Sequence, residues 1–480
     1  MRRSFLLAFI PVLLFARQEP EHKSIHQQEL EWHANLPPSE TLPVAQSVPL
    51  LPKFGSSMAL SKKVYGWHPY WAASTAHLSY DYTVLSHIAF FSYEVDTATG
   101  GYTTIRGWDT TPIIAYAHQR GVKVTLTVTN FGSDKNDKLL SDTVKQNRLI
   151  NTLITLLKSR NGDGVNFDLE SVRSAQRANL VSFMRRAATR IKAEIPAAEI
   201  SMASPAVDWS GSWDFYQLGQ ICDYLIFMGY DYYWSGSTTA GPVAPLEGEY
   251  YCVTRSADTY ILAGVPRDKI MVGVPWYGMD WPVQSSARKA AATGTASSRT
   301  YVVAEPMAAS YGKQFDQITK VPWFSYFTGS TWRQVWYDDS LSLAYKYNMV
   351  TSKGLGGIGI WALSYDGARQ EIWSGIKVAF ATTGVHTDQT VYSEDELSLR
   401  NYPNPFNPTT NLEFSVSSSA FVTLRVYDAL GREVGVLVDE MKSPGKYTVK
   451  WDASTLPTGA YFCRLQSGSR ILLRPMMLTK

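Results

Sequence analysis

Short apolar runs alternate with helical patterns eight times between Lys62 and Ala362, and no other feature narrows the choice of fold as far. The runs fall at 64–67, 88–93, 122–129, 163–170, 200–203, 224–228, 270–274 and 358–362. Helical spacing fills the gaps, as in Leu149, Ile150, Leu153, Ile154, Leu156 and Leu157, and again over 112–119 and 175–193. Strands buried on both faces and joined by helices form parallel sheets. Eight such units over roughly 320 residues predict a (β/α)8 barrel, an α/β fold whose active site lies at the C-terminal ends of its strands.

The fourth run, Asp163-Gly164-Val165-Asn166-Phe167-Asp168-Leu169-Glu170, is unusual in its polarity. Strand side chains have a period of two, so Asn166, Asp168 and Glu170 share one face and Val165, Phe167 and Leu169 the other. Three such groups on a dry face are costly, so that face belongs to a solvated cleft. Glu170 comes last, where the strand opens into a loop.

This run resembles the D-G-x-D-x-D-x-E signature of glycoside hydrolase family 18, the chitinase-like family, with Asn166 in place of the usual Asp. The resemblance extends to Met228-Gly229-Tyr230-Asp231, to Gly273-Val274-Pro275-Trp276-Tyr277-Gly278 and to Gly357-Ile358-Gly359-Ile360-Trp361, in order and each at a strand end. It implies a TIM barrel that hydrolyses β-linked N-acetylglucosamine polymers, chitin or the glycan of peptidoglycan, with retention and substrate assistance. It further implies Glu170 as general acid, Asp168 orienting the substrate's acetamido nitrogen, and Tyr230 bonding the acetamido oxygen. Asp163, Asn166, Met228, Asp231, Tyr277 and Trp361 are the implied substrate-binding residues, with Trp361 beneath the sugar. An Asp at position 166 would be a like-charge neighbour of Asp168, whereas Asn166 supplies a hydrogen bond without the charge. The competing readings are a non-catalytic carbohydrate-binding relative, against which Glu170 speaks, and a surface protein using the barrel as scaffold.

Between strands seven and eight, residues 280–355 carry Trp281, Tyr301, Trp323, Phe324, Tyr326, Trp332, Trp336 and Tyr337. The resemblance implies a small α+β insertion walling the cleft, and a long decorated loop with its own mini-core is the alternative. Gly354-Leu355-Gly356-Gly357-Ile358-Gly359 fits G-x-G-x-x-G but precedes a strand, the wrong context for a dinucleotide. The eight His are scattered with no metal-ligand spacing, so neither metal nor cofactor is expected.

Further sequence signals divide the chain into a signal peptide at 1–16, a linker or N-terminal arm at 17–60, the barrel at 61–381, a linker at 382–399 and a terminal domain at 400–480. Arg2-Arg3 followed by about 11 apolar residues and Ala16 fits a cleaved leader too short to span a bilayer. The arm has five prolines between Pro37 and Pro52 and shows no clear period. Beyond Tyr402-Pro403-Asn404-Pro405-Phe406-Asn407-Pro408, short alternating strands and turns predict a small all-β, immunoglobulin-like sandwich. This part resembles the sorting domain of type IX secretion cargo. It implies that secretion machinery as a partner and a secreted or cell-surface location reached through the periplasm. The formal net charge is only +3, and no later run is apolar enough to span a bilayer, so nucleic acid and stable membrane insertion are not expected. Three Cys exclude a full disulfide framework. Either a Cys222–Cys252 bridge or unpaired buried thiols fits.

Overall fold

The computed structural model describes residues 22–34, 60–380 and 397–479, apart from positions 417, 430, 468 and 469. The expected leader, the prolines of the arm and most of the 382–399 linker lie outside them. The barrel strands are β1 (Lys63–Pro69), β2 (His87–Asp96), β3 (Lys123–Phe131), β4 (Gly164–Glu170), β5 (Glu199–Pro205), β6 (Tyr224–Met228), β7 (Ile270–Pro275) and β8 (Gly357–Trp361). They run parallel in the order β1-β8-β7-β6-β5-β4-β3-β2, and β2 pairs back onto β1 to close the barrel. A short strand, Gly101–Thr104, adds antiparallel to β2.

The period of two in β4 sorts its side chains. Phe167 points outward and meets Phe183 edge-on at 5.4 Å, on the helix Arg177–Glu194. Asn166 points inward and bridges the barrel, accepting from Trp67 Nε1 of β1 at 3.0 Å and donating to Ser201 Oγ of β5 at 2.9 Å. At the start of β4, Gly164 has φ +151°, and a Cβ there would lie 2.0 Å from the Glu199 carbonyl oxygen. Only glycine fits that approach.

The insertion after β7 is more regular than a decorated loop. It forms a five-stranded antiparallel sheet with the helix Tyr301–Tyr311. Buried Asp280 ties the sheet together by accepting from Arg299, Tyr326 and Arg333.

The terminal domain has two sheets, one of three strands, β9 (Leu397–Tyr402), β10 (Thr409–Val416) and β13 (Gly445–Asp452). The other has four, β11 (Ala420–Asp428), β12 (Glu433–Lys442), β14 (Gly459–Ser467) and β15 (Arg470–Leu478). Leu412, Phe414, Val422, Leu424 and Leu465 form its core. Phe462 and Leu473 instead join the barrel's core, and Leu473 N donates to Asn348 of the helix Ser340–Ser352 at 3.2 Å. Cys222, Cys252 and Cys463 are free and buried, which settles the open bridge against pairing.

No helix was expected in the arm, yet Ile25–His33 forms one, α1, in the mouth of the barrel. Ser24 caps it by accepting from Gln27 N at 3.1 Å. A nine-residue helix is marginal alone in water, so its packing against the barrel holds it.

Candidate active site

Asp168 and Glu170 project from the C-terminal end of β4 into the barrel mouth, both buried. Burial raises Glu170 to about 8, and the neighbouring Asp168 adds to the rise. Burial raises Asp168 too, and a hydrogen bond from Glu170 opposes that rise. Asp168 is likewise raised to about 8, so the pair as a whole holds a proton near neutral pH, and Glu170, last on the strand and lining the open cavity, is the member placed to deliver it. Tyr230, just past β6, is held far above the ordinary phenol range by burial and the acidic groups around it, so its hydroxyl remains a donor. Gly273 makes room for that ring, since a Cβ there would sit 3.0 Å from Tyr230 Cε1.

Asp231 has φ +59°, in the left-handed region that non-glycine residues rarely adopt. That turn lets its carboxylate accept from Tyr277 OH at 2.6 Å. Trp361, wholly buried, ends β8 and floors the site. Met228 lines its outer side, where a cavity of about 630 Å³ opens next to Glu170. Trp209, Trp213, Trp234 and Tyr251 line that cavity, with Trp209 and Tyr251 edge to face at 4.4 Å.

Two of the expected substrate-binding residues are elsewhere. Asp163 precedes β4 at the opposite end of the barrel, accepting from Val124 N at 2.6 Å and paired with His118 Nε2 at 2.7 Å. It anchors β4 to its neighbour β3 and does not reach the cleft. Asn166 is wholly buried below Asp168, and its amide bonds go to Trp67 and Ser201 rather than to Asp168. The structure brings together Glu170, Asp168, Tyr230, Asp231, Tyr277, Met228 and Trp361.

The sequence reading missed the occupants of the cleft. His26 of α1 stacks on Trp361 with ring centroids 3.7 Å apart. Its Nδ1 lies 2.7 Å from Asp168 Oδ2 and its Nε2 2.7 Å from Tyr230 OH. Ile25 N donates to Asp231 Oδ2 at 2.8 Å. Glu29 accepts from Trp361 Nε1 at 3.1 Å and from Tyr365 OH. One local signal was available: Ser24 with Gln27 three residues on is a helix-start pattern. His26, Asp168 and Glu170 also bring one donor atom each within 4.8 Å of one another. The 2.7 Å between His26 and Asp168 is a hydrogen-bond distance. Two ligands of one tetrahedral zinc would stand about 3.3 Å apart, from bonds of about 2.0 Å.

The profile of glycosyl hydrolases family 18 matches residues 64–366, and that of secretion system C-terminal sorting domains matches residues 400–477. A cortical fragment-lytic enzyme of Bacillus anthracis is 26% identical over 58% of this chain and 65% of its own length. The putative sporulation-specific glycosylase YdhD of Bacillus subtilis is 28% identical over 51% and 59%. The chain thus spans less than two thirds of these relatives. A di-N-acetylchitobiase of Rattus norvegicus is 24% identical over 59% of this chain and 77% of its own length. Among solved structures, the Bacillus megaterium spore cortex-lytic enzyme SleL superposes with TM-score 0.56 at 19% identity, covering 66% of this chain and 73% of that one. A chitinase of Cycas revoluta bound to (GlcNAc)4 gives 0.58 at 19%, covering 66% and 98%. With an eight-stranded parallel barrel, the strand-end acids of β4 and a profile match over most of the chain, this protein belongs to glycosyl hydrolases family 18.

Proposed function

We propose that the chain is a retaining glycosidase that cleaves β-linked N-acetylglucosamine polymers by substrate assistance. The observation that carries this is the pairing of Asp168 with a proton-bearing Glu170 on one strand end, facing Tyr230 above the Trp361 floor. Glu170 gives its proton to the glycosidic oxygen as the bond to C1 breaks. The substrate's acetamido oxygen closes on C1, its N–H held by Asp168 and its oxygen by Tyr230 OH. Water, deprotonated by Glu170, then opens the ring from the same side as the departed group. Family 18 enzymes are among the known exceptions to the two-carboxylate scheme. The aromatic-lined cavity beside Glu170 is of a size and character suited to the leaving saccharide. Relatives named for spore-cortex lysis favour peptidoglycan glycan over chitin.

The sorting domain supports export to the cell surface or beyond by the type IX route, and among the described residues no helix is long and apolar enough to cross a membrane. The leader and the domain limits set out above are part of the same proposal.

The test is hydrolysis of chito-oligosaccharides and of peptidoglycan by the full chain, with product masses. Glu170→Gln is expected to lose at least about 10²-fold in turnover while still binding sugar. Near-wild-type turnover on a glycoside with a poor leaving group refutes the assignment. Efficient cleavage of the matching glucoside, which lacks the acetamido group, refutes substrate assistance.

A further inference from the structure

The helix α1 occupies the place that the proposed function gives to the substrate's reacting sugar. Four of the polar groups of that place, on Asp168, Tyr230, Asp231 and Trp361, are engaged by it. Asp168 and Tyr230 face the two nitrogens of one imidazole at 2.7 Å each. Asp231 accepts from the backbone N–H of Ile25, one of the first amides of the helix, which has no partner within the helix. The positive end of the helix dipole thus points at the acidic cluster. Trp361 carries the His26 ring on its face and donates from its edge to Glu29. Farther out, His33 stacks on Trp71 at 4.7 Å with the rings 9° from parallel, and His22 meets Trp234 edge to face at 4.8 Å. Asp168, Tyr230, Asp231 and Trp361 are the groups assigned above to substrate.

The chemistry of the match is specific. A neutral imidazole has one N–H and one bare nitrogen, set apart across a single ring carbon. A secondary amide has one N–H and one carbonyl oxygen, set apart across the carbonyl carbon. With the proton on Nδ1, His26 donates to Asp168 and accepts from Tyr230 OH, the polarity that the acetamido N–H and C=O would present. Burial pushes His26 down to about 4 against the pull of Glu170 and Asp231, in keeping with a neutral ring. The flat ring on Trp361 takes the place of the sugar's apolar face.

We propose that residues 22–34 form an intramolecular inhibitor, in which His26 imitates the 2-acetamido group and α1 must leave before a glycan can bind. This deepens the proposed function and rests on its assignment of the acetamido pocket. The groups that hold α1 are the groups the substrate needs, so inhibition is competitive and is relieved by substrate or by loss of the arm.

Four measurements on the full chain test it. Hydrogen exchange reads α1 without reference to activity, because a helix this short is protected only while docked. Amides of 25–33 are expected to be protected in the wild type, and to lose protection in His26→Ala and on addition of chitotetraose in excess of the tethered helix's effective concentration, on the order of mM. In a Glu170→Gln background, which binds without turnover, His26→Ala is expected to tighten chitotetraose binding at least about tenfold. With Glu170 intact, His26→Ala and Glu29→Ala are expected to lower KM with kcat little changed. A synthetic peptide of residues 22–34 is expected to inhibit His26→Ala competitively. Unprotected amides in the wild type overturn the inference, as does equal saccharide affinity with and without His26. If α1 is protected and His26→Ala frees it, but no variant hydrolyses any N-acetylglucosamine glycoside, the plug stands and the glycosidase reading falls.

Discussion

At the scale of single residues, one sequence motif separates into two jobs. Asp168 and Glu170 face the cleft, while Asp163 holds the foot of the strand through Val124 N and His118. The five residue steps from Asp163 to Asp168 span about 16 Å of extended chain, so one strand cannot bring both to one sugar. The period of two had already put them on opposite faces, and geometry alone could have removed Asp163 from the substrate set. Asp163→Ala is therefore expected to leave KM unchanged and to cost about 1–3 kcal/mol of stability, the value of charge-assisted bonds to a partly buried carboxylate. Denaturant unfolding and steady-state kinetics on the same preparation check this. A raised KM at unchanged stability would return Asp163 to the binding site. Asn166 was legible as inward-facing, but its bonds to Trp67 and Ser201 depend on strands on other sides of the barrel.

Among the elements, those with local causes were readable. All eight barrel strands lie where the apolar runs predict, because burial on both faces leaves a mark in consecutive residues. The insertion after β7 is the small α+β unit that the resemblance implied, a five-stranded sheet with one helix, though its individual strands were not placed in advance. α1 was missed altogether. Its partners lie 142 to 336 positions away, and nothing in nine residues reveals that a cleft awaits them. Its docking carries a dependence on pH. Burial raises docked Glu29 to about 8 from an ordinary 4.5, with Asp231 adding to the rise against the bonds from Tyr365 and Trp361. The docked arm thus holds a proton that a free arm releases, and docking weakens as pH rises through 4.5 to 8. His26 acts in the opposite sense, lowered from 6.5 to about 4, so its contribution weakens docking as pH falls through that range. Above 6.5 the Glu29 effect is unopposed by the titration of His26. Burial raises Glu170 and Asp231, while the arm's Ser24, Ile25 N–H and His26 lower them and so act against the Glu29 effect there. Protection of the α1 amides, corrected for intrinsic exchange, is expected to fall between pH 6.5 and 8 in the wild type and to fall less in Glu29→Gln. Equal slopes would show that Glu29 docks as the anion.

For the whole molecule, the sandwich is more than an appended tag, because Phe462 and Leu473 are shared with the barrel's core. Their burial in the barrel's core corresponds to about 2–3 kcal/mol of apolar contact. A chain ending before residue 397 is expected to unfold at least about 2 °C lower by calorimetry, and in a host with type IX machinery to remain in the periplasm. An unchanged midpoint would show that the contact is idle, and arrival at the surface would give the domain another role. The covalent tie between α1 and the barrel has a quantitative consequence. A competitor on the same chain acts at an effective concentration on the order of mM, whatever the enzyme's dilution. Dissolved fragments at micromolar levels would then hardly displace it, whereas a dense glycan surface presenting many ends at once could. Such an enzyme would respond to the local crowding of its substrate and be nearly deaf to its own small products.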